Sequence, residues 1–445
     1  MHELSPSHAL AVSASPRTRS WERPTVWQLA ILLAVLFFMA DHQLRSVGTW
    51  SGDRNEAENA EHFEDSAQGG NPLRQAAFLS LAAAGLALLF HRRGKPWNPN
   101  WLLVSFMGAA TLVMLLSIIW SVNPAQTARR VGVVLCCMLV AAGLARNLSP
   151  RELCLLVVGT LLPLVGFSFL LDVAAGSHPW SGTARFGGTL HPNETAVYCA
   201  MLGLAALVLA RDSRSKYRLL WWTLLAVSLI LLWLTKSRTT LAALALTLAV
   251  GWWVSLSRPL RRCSAAGILL LGGLALLLVG AVGDAVSDPV VDAVLIGRHE
   301  KAASLSGRIP LWEMLLEYAD DRPLLGFGFS SFWTSSRIEE VYQAQHWAIT
   351  SAHSVYLELM LGIGLVGTVL VLAAVLAATV AALRRYAQTA DMGYVFIFLV
   401  LVFGLANGLL ESIFAKPRCA TILTFCGICL VAWGNRERVQ DDTNG

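Results

Sequence analysis

The sequence predicts an all-α polytopic membrane protein of about twelve transmembrane helices, with one large outer loop between the ninth and tenth. Three observations carry that expectation. First, 55% of the 445 residues are hydrophobic and only 14% are charged, against about 25% charged in ordinary soluble domains. A soluble fold needs a polar skin that this composition cannot supply. Second, the apolar residues run in stretches of roughly 15–22, the length that crosses about 30 Å of hydrocarbon. Third, the charges fall in short clusters between those stretches.

Apolar windows lie near 24–40, 75–90, 101–120, 131–145, 153–171 and 195–210, and again near 218–235, 238–254, 264–283, 355–382, 393–411 and 419–434. Each is expected to be a helix, because only internal hydrogen bonding satisfies a backbone surrounded by lipid. The first window follows a polar stretch and reads as a retained anchor rather than a cleaved signal peptide. The organisation expected is a tail at 1–23, a transmembrane domain at 24–434 and a second tail at 435–445. Two long outer segments, 41–74 and 284–353, interrupt the domain.

Orientation follows from the loop charges. One alternate set of loops, with both tails, holds 19 of the 34 Lys and Arg but 8 of the 29 Asp and Glu. That set is expected on the cytoplasmic side, so both termini are inside. The net charge of +5 reflects this asymmetry and is no nucleic-acid signal. All eight cysteines lie in or beside apolar windows, so no disulfide framework is implied. Cys426 and Cys429 form a CxxC inside an apolar helix, where packing is favoured over redox or metal chemistry.

Polar groups at the membrane are the informative ones, since placing them there costs several kcal/mol unless they are used. The acidic 41–74 segment reads as a solvated loop. Arg129 and Arg130 open the fourth window on the outer side, against the charge rule. Snorkelling anchors explain them, with contact to a lipid phosphate as the other reading. In Arg185-Phe186-Gly187-Gly188-Thr189-Leu190-His191-Pro192-Asn193-Glu194, the proline suits the first turn of the sixth helix. There His191 reads as a structural helix-end residue before it reads as a base. Thr235-Lys236-Ser237-Arg238 separates two windows with almost no loop. Two cations pinned there point to an anion.

Within 284–353, Arg308 precedes a segment whose Ile309, Trp312, Leu315 and Leu316 form an apolar stripe opposite Glu313 and Glu317. That pattern predicts a short helix along the outer surface, ending at Asp320-Asp321. These adjacent acids read as a helix-end turn before they read as a metal site. His353 then enters the tenth span, where nothing structural demands a histidine.

Arg238, Lys236 and Arg308, with Arg185 and Arg130 as further members, share one face. Guanidinium groups match phosphate oxygens with charge that does not titrate away. An imidazole supplies a base for a hydroxyl. A lipid diphosphate donor and a hydroxyl acceptor fit this pairing, with no metal and no cofactor. No P-loop or dinucleotide fingerprint is present.

The pieces WSVNPAQTARR, RFGGTLHPNETA, TKSRTTLAALAL, SGRIPLWEMLLEYADDRPLLGFGFSSFW and AHSVYLELMLGIGLVG resemble, in that order, the O-antigen ligase and O-antigen/exopolysaccharide polymerase superfamily. The resemblance covers roughly 120–370. It implies a GT-C-like membrane enzyme of twelve helices with a large periplasmic loop before the tenth. Such enzymes move glycan from undecaprenyl diphosphate to an acceptor on the outer face of the bacterial inner membrane. Lipid A-core or a second lipid-linked glycan would be the acceptor.

Carried over by motif, the diphosphate arginines fall on Arg238 and Arg308 and the acceptor-activating histidine on His353. His191, Asn193 and Trp312 remain candidate acceptor or glycan contacts. Many members carry Asn after that histidine, where this chain has Ser354. Ligase, polymerase and protein O-glycosylation stay open at this point. A transporter or lipid-linked glycan flippase is the alternative from another class. The half-to-half repeats common in transporters are not seen.

Overall fold

The computed structural model describes residues 25–41, 72–91, 99–181, 184–256, 308–345 and 349–433. Among these residues the chain is all helical, with no strand. In chain order the helices are α1 (Val26–Asp41), α2 (Pro72–Leu89), α3 (Trp101–Trp120), α4 (Pro124–Asn147), α5 (Pro150–Ala174), α6 (Pro192–Arg211) and α7 (Arg218–Leu234). They continue with α8 (Arg238–Ser255), α9 (Arg308–Asp321), α10 (Ser335–Gln345), α11 (Val355–Thr389), α12 (Met392–Asn407) and α13 (Cys419–Ala432). Six of them, α2 to α6 and α11, are long and apolar enough to cross a membrane, and α1, α7, α12 and α13 are shorter apolar helices. The window at 264–283 and the two tails lie outside the described residues, as do most of the 41–74 segment and 284–307.

Local chemistry sets the helix starts. Pro124 and Pro150 occupy first-turn positions, where a missing N–H costs nothing. Asn123 caps α4 by accepting from the Gln126 N–H at 3.1 Å. Ser149 and Glu152 form a reciprocal capping box on α5, which satisfies two orphan donors at once. At the centre of the bundle stands α6, 89% of whose apolar window is buried, against 17% for α3. Helices α2 and α4 approach closely, since a side-chain carbon added at Gly143 would collide with the Gly85 carbonyl. Small residues permit such backbone contact between membrane helices.

The helix links fall into two groups at opposite ends of the bundle. At one end, the Asn100 N–H donates to the Ala432 carbonyl at 2.6 Å, and Asn147 Nδ2 donates to the Leu88 carbonyl at 2.9 Å. The other end gathers the links α3–α4, α5–α6, α7–α8, α11's start and the segment 408–418. Residues 308–345 and 349–352 form a small layer over this second end. Their core comprises Leu311, Leu315, Ala319, Phe327, Phe332, Trp333, Ile338 and Val341, joined by Leu361 of α11. Arg337 lies beneath the rings of Phe327 and Phe332, at 4.3 and 4.6 Å from their centroids.

Helix α9 forms where expected, but its buried stripe differs from the expected one. Leu311, Leu315 and Ala319 point inward, while Ile309 and Leu316 are 41% and 46% exposed. The helix begins at Arg308, and the positions i, i+4 and i+8 from Leu311 face the small core.

Helix α11 is broken at Gly364, which adopts φ 64° and ψ −172°. The break frees backbone groups, and the 323–328 segment satisfies them. Phe327 and Gly328 donate to the Leu361 and Gly362 carbonyls at 2.8 and 2.9 Å, and the Leu365 N–H donates to the Pro323 carbonyl at 2.8 Å. A broken helix is tolerated where neighbouring backbone takes up the freed groups in this way. A side chain at Gly364 would collide with the Leu324 backbone, and a positive φ already favours glycine there.

Candidate functional site

Glu411 is where the segments of the second end converge. It follows α12 in a loop that contains one 3-10 turn, Ile413–Ala415. The apolar window expected at 393–411 therefore ends early, because α12 stops at Asn407. Glu411 is 4% exposed. Its Oε1 accepts from Arg308 Nη2 at 2.8 Å, from Asn193 Nδ2 at 2.8 Å and from Thr239 Oγ1 at 3.4 Å. Its Oε2 lies 4.0 Å from His353 Nδ1. Five segments thus meet on one carboxylate: the starts of α6, α8, α9 and α11, and the loop after α12.

Each partner is positioned by local chemistry. Pro192 opens α6, and His191 caps it through Nδ1, which accepts from the Asn193 N–H at 3.2 Å. Asn193 bridges outward as well, since its Oδ1 accepts from Arg185 Nη2 at 2.7 Å. Arg185 in turn donates through Nε to the Thr235 carbonyl at 3.0 Å. Arg185, Asn193, Glu411 and Arg308 therefore form one chain of hydrogen bonds. Arg238 opens α8 next to Thr239, so its segment is brought to the same carboxylate. Lys236 is turned to the 175–185 loop, where Nζ donates to the Ser181 carbonyl at 2.7 Å.

The backbone before His353 is clamped on both sides. The Ala352 N–H donates to Glu358 Oε1 at 2.7 Å, and the Ala352 carbonyl accepts from Trp312 Nε1 at 2.9 Å. Trp312 thus holds the histidine loop. Among the described residues, four non-glycine residues have positive φ, and two of them are Lys236 (52°) and His353 (49°). Left-handed backbone costs of order 1–3 kcal/mol per residue and gathers at functional sites.

The electrostatics are unbalanced toward positive charge. Burial and the neighbouring Arg308, Lys416 and His191 hold the His353 imidazole well below its usual value, at about 3. It is neutral at physiological pH. Burial pushes the Glu411 carboxyl above its ordinary range, and Arg308 and Lys416 oppose that push. Burial lowers the Lys416 ammonium, with Glu194 opposing. Arg418 pairs with Glu194 at 2.9 Å. Arg130 is half-buried on α4, in the field of Arg74, Arg418 and Glu358. It joins the cluster on the Arg418 side, not at Glu411.

Sequence reading missed Glu411, Lys416 and Arg418. The signal was present in Gly408-Leu409-Leu410-Glu411-Ser412-Ile413-Phe414-Ala415-Lys416-Pro417-Arg418, where three charges sit inside apolar sequence. The hydropathy of the flanking residues absorbed Glu411 into a span.

The arrangement offers permanent cations, a buried carboxylate and a neutral imidazole in one place. Chemically it can hold a polyanion and accept a proton beside it. No curated protein matches the sequence. Residues 223–372 match the family model Wzy_C, O-antigen ligase. The matched region contains Lys236, Arg238, Arg308, Trp312 and His353, from three of the five converging segments. The chain is a polytopic helical membrane protein, and about a third of it, residues 223–372, is similar to the O-antigen ligase family.

Proposed function

We propose that the protein is a membrane glycosyltransferase of the ligase/polymerase type, which passes glycan from undecaprenyl diphosphate to an acceptor hydroxyl. The reaction takes place at the periplasmic face of the bacterial inner membrane, in the synthesis of a cell-surface polysaccharide. The observation that supports this reading most is the meeting of Arg308, Asn193 and His353 around Glu411. Cations and an imidazole from distant parts of the chain share one end of the bundle, where a membrane-bound donor would dock.

In this reading Arg308 and Arg238 take the diphosphate, with Lys236, Arg185 and Arg130 extending the positive field. Their charge is fixed, so the leaving diphosphate is met without a metal ion. His353 takes the proton of the acceptor hydroxyl. The acceptor is lipid A-core or a second lipid-linked glycan, and His191 and Asn193 lie at the edge it would approach.

The test is reconstitution of the full chain with undecaprenyl-diphosphate oligosaccharide and each acceptor. A single transfer to lipid A-core is expected of a ligase, and a ladder of lipid-linked products of a polymerase. Absence of transfer to every hydroxyl acceptor, with uptake of the lipid across vesicles instead, would favour a transporter.

A further inference from the structure

Glu411 is a paradox in a site that takes an anion. A buried carboxylate cancels part of the positive charge and occupies a guanidinium that a phosphate would need. A residue that weakens ground-state binding is retained where it acts later in the reaction. Two contacts say how. Arg308 Nη2 is held by Glu411 Oε1 at 2.8 Å, so an incoming phosphate oxygen competes for the same donor. The other carboxylate oxygen faces Nδ1 of His353 at 4.0 Å. A carboxylate beside one ring nitrogen favours the tautomer with its proton there, leaving the lone pair on the other nitrogen.

We propose that Glu411 is a positioning residue with two successive partners. Before the donor arrives it occupies Arg308 in place of a phosphate. When a lipid diphosphate takes Arg308, the carboxylate turns to the Nδ1–H of His353 and orients the imidazole toward the acceptor. The acceptor hydroxyl then gives its proton to Nε2 as its oxygen bonds to the anomeric carbon. The bond from that carbon to the diphosphate oxygen breaks, and the lipid diphosphate leaves with the electron pair against Arg308. Glu411 stays ionised and stabilises the imidazolium.

The charged groups facing His353 are Arg308 from α9, Lys416 and Glu411 from the 408–418 loop, and His191 from the cap of α6. Burial and these cations together suppress the basicity of the imidazole. The negative charge of the donor offsets the cations, so the base is stronger when the donor is bound. This inference rests on the glycosyl-transfer reading above.

The test uses Glu411→Gln in the full-length protein, which keeps the size and one acceptor oxygen but removes the charge. The donor KM is expected to fall about 3-fold or more, because a neutral amide oxygen holds Arg308 less tightly than the carboxylate does. The kcat for transfer is expected to fall about 100-fold, and the acid limb of its pH profile to move to lower pH. Glu411→Asp restores the charge and is expected to return the limb to its wild-type position, with kcat between those of wild type and Glu411→Gln. A Glu411→Gln kcat within about twofold of wild type overturns the inference. So does a fall in kcat accompanied by loss of undecaprenyl-diphosphate binding, which marks a scaffold role alone. Wild-type protein that transfers no glycan overturns the glycosyl-transfer reading, and this inference with it. Wild-type transfer beside an unaffected Glu411→Gln overturns only the inference.

Discussion

Two buried carboxylates sit at opposite ends of this bundle, and they are treated in opposite ways. Asp212, between α6 and α7, accepts from Arg151 Nε at 2.7 Å, from Arg214 Nε at 3.2 Å and from the Arg214 N–H at 3.0 Å. Burial alone would raise its carboxyl, but these donors outweigh burial and hold it below the usual carboxylate range. Arg214 reaches on to Asp391 at 3.4 Å, so the cluster ties the α5, α6–α7 and α11–α12 regions together. Glu411 also has a guanidinium and two further donors, yet burial holds its carboxyl above the ordinary range. One site is balanced and closed. The other keeps excess cations and a neutral imidazole beside its carboxylate, a charge balance that suits an anion.

The largest effect expected from breaking that contrast is at Arg308. Arg308→Ala leaves Glu411 buried without its cation, a loss of about 3–5 kcal/mol for a buried pair. On the proposed glycosyl-transfer reading, transfer is expected to drop by about 1000-fold as the leaving diphosphate loses its counter-charge. Thermal unfolding and transfer assays check the two parts. A variant that loses stability but transfers normally per folded molecule would make the two ends alike.

Asp212→Asn is the matching change at the balanced end. Its expected cost is about 1–3 kcal/mol, from weakened charge-assisted hydrogen bonds. Transfer kinetics per folded enzyme should stay within about twofold of wild type, since Asp212 belongs to the other end. Thermal melts beside single-turnover rates separate these outcomes, and a selective loss of rate would remove the distinction drawn between the ends.

The two ends also differ in how pH acts on them. Asp212, with its depressed value, contributes stability above about pH 3.9 that is lost only as pH falls through its folded value. His353 acts higher up the scale. Its folded value of about 3 lies below the usual 6.5, so the folded state binds fewer protons than the unfolded state between those limits. Stability therefore falls as pH drops below about 6.5, by up to about 1.4 kcal/mol per pH unit. His353→Gln lacks that penalty, and its melting temperature should decline less than that of wild type between pH 7 and pH 5. Parallel declines would show that the imidazole is not held neutral.

The helices were legible because lipid imposes a strong length and composition rule. The 101–120 window coincides with α3, and 218–235 and 238–254 differ from α7 and α8 by a residue. Arg308 and His353 were legible because cations and an imidazole at a membrane edge need a reason. Glu411 was not, since a carboxylate four residues beyond a helix end looks like the tail of a span. The break at Gly364 was equally hidden. Leu361-Gly362-Ile363-Gly364 reads as ordinary apolar helix, and only the Pro323–Gly328 segment, about forty residues earlier, supplies partners for its freed backbone groups. Pairing between distant segments leaves no local period to read.

The smallest expected effect tests whether the site end depends on precise loop placement, as the balanced end does not. Trp312 and Glu358 grip the carbonyl and N–H of Ala352, the residue immediately before His353. Together they hold a left-handed histidine in place. Trp312→Phe keeps most of the ring volume and removes only the indole N–H, leaving the Ala352 carbonyl without that donor. The stability cost expected is about 1 kcal/mol. A base displaced by a fraction of an ångström loses rate faster than the fold loses stability. Transfer should therefore fall about 10-fold in kcat with donor KM unchanged. An equal change in KM would place Trp312 on the glycan itself, and unchanged kinetics would show that Glu358 alone fixes the loop.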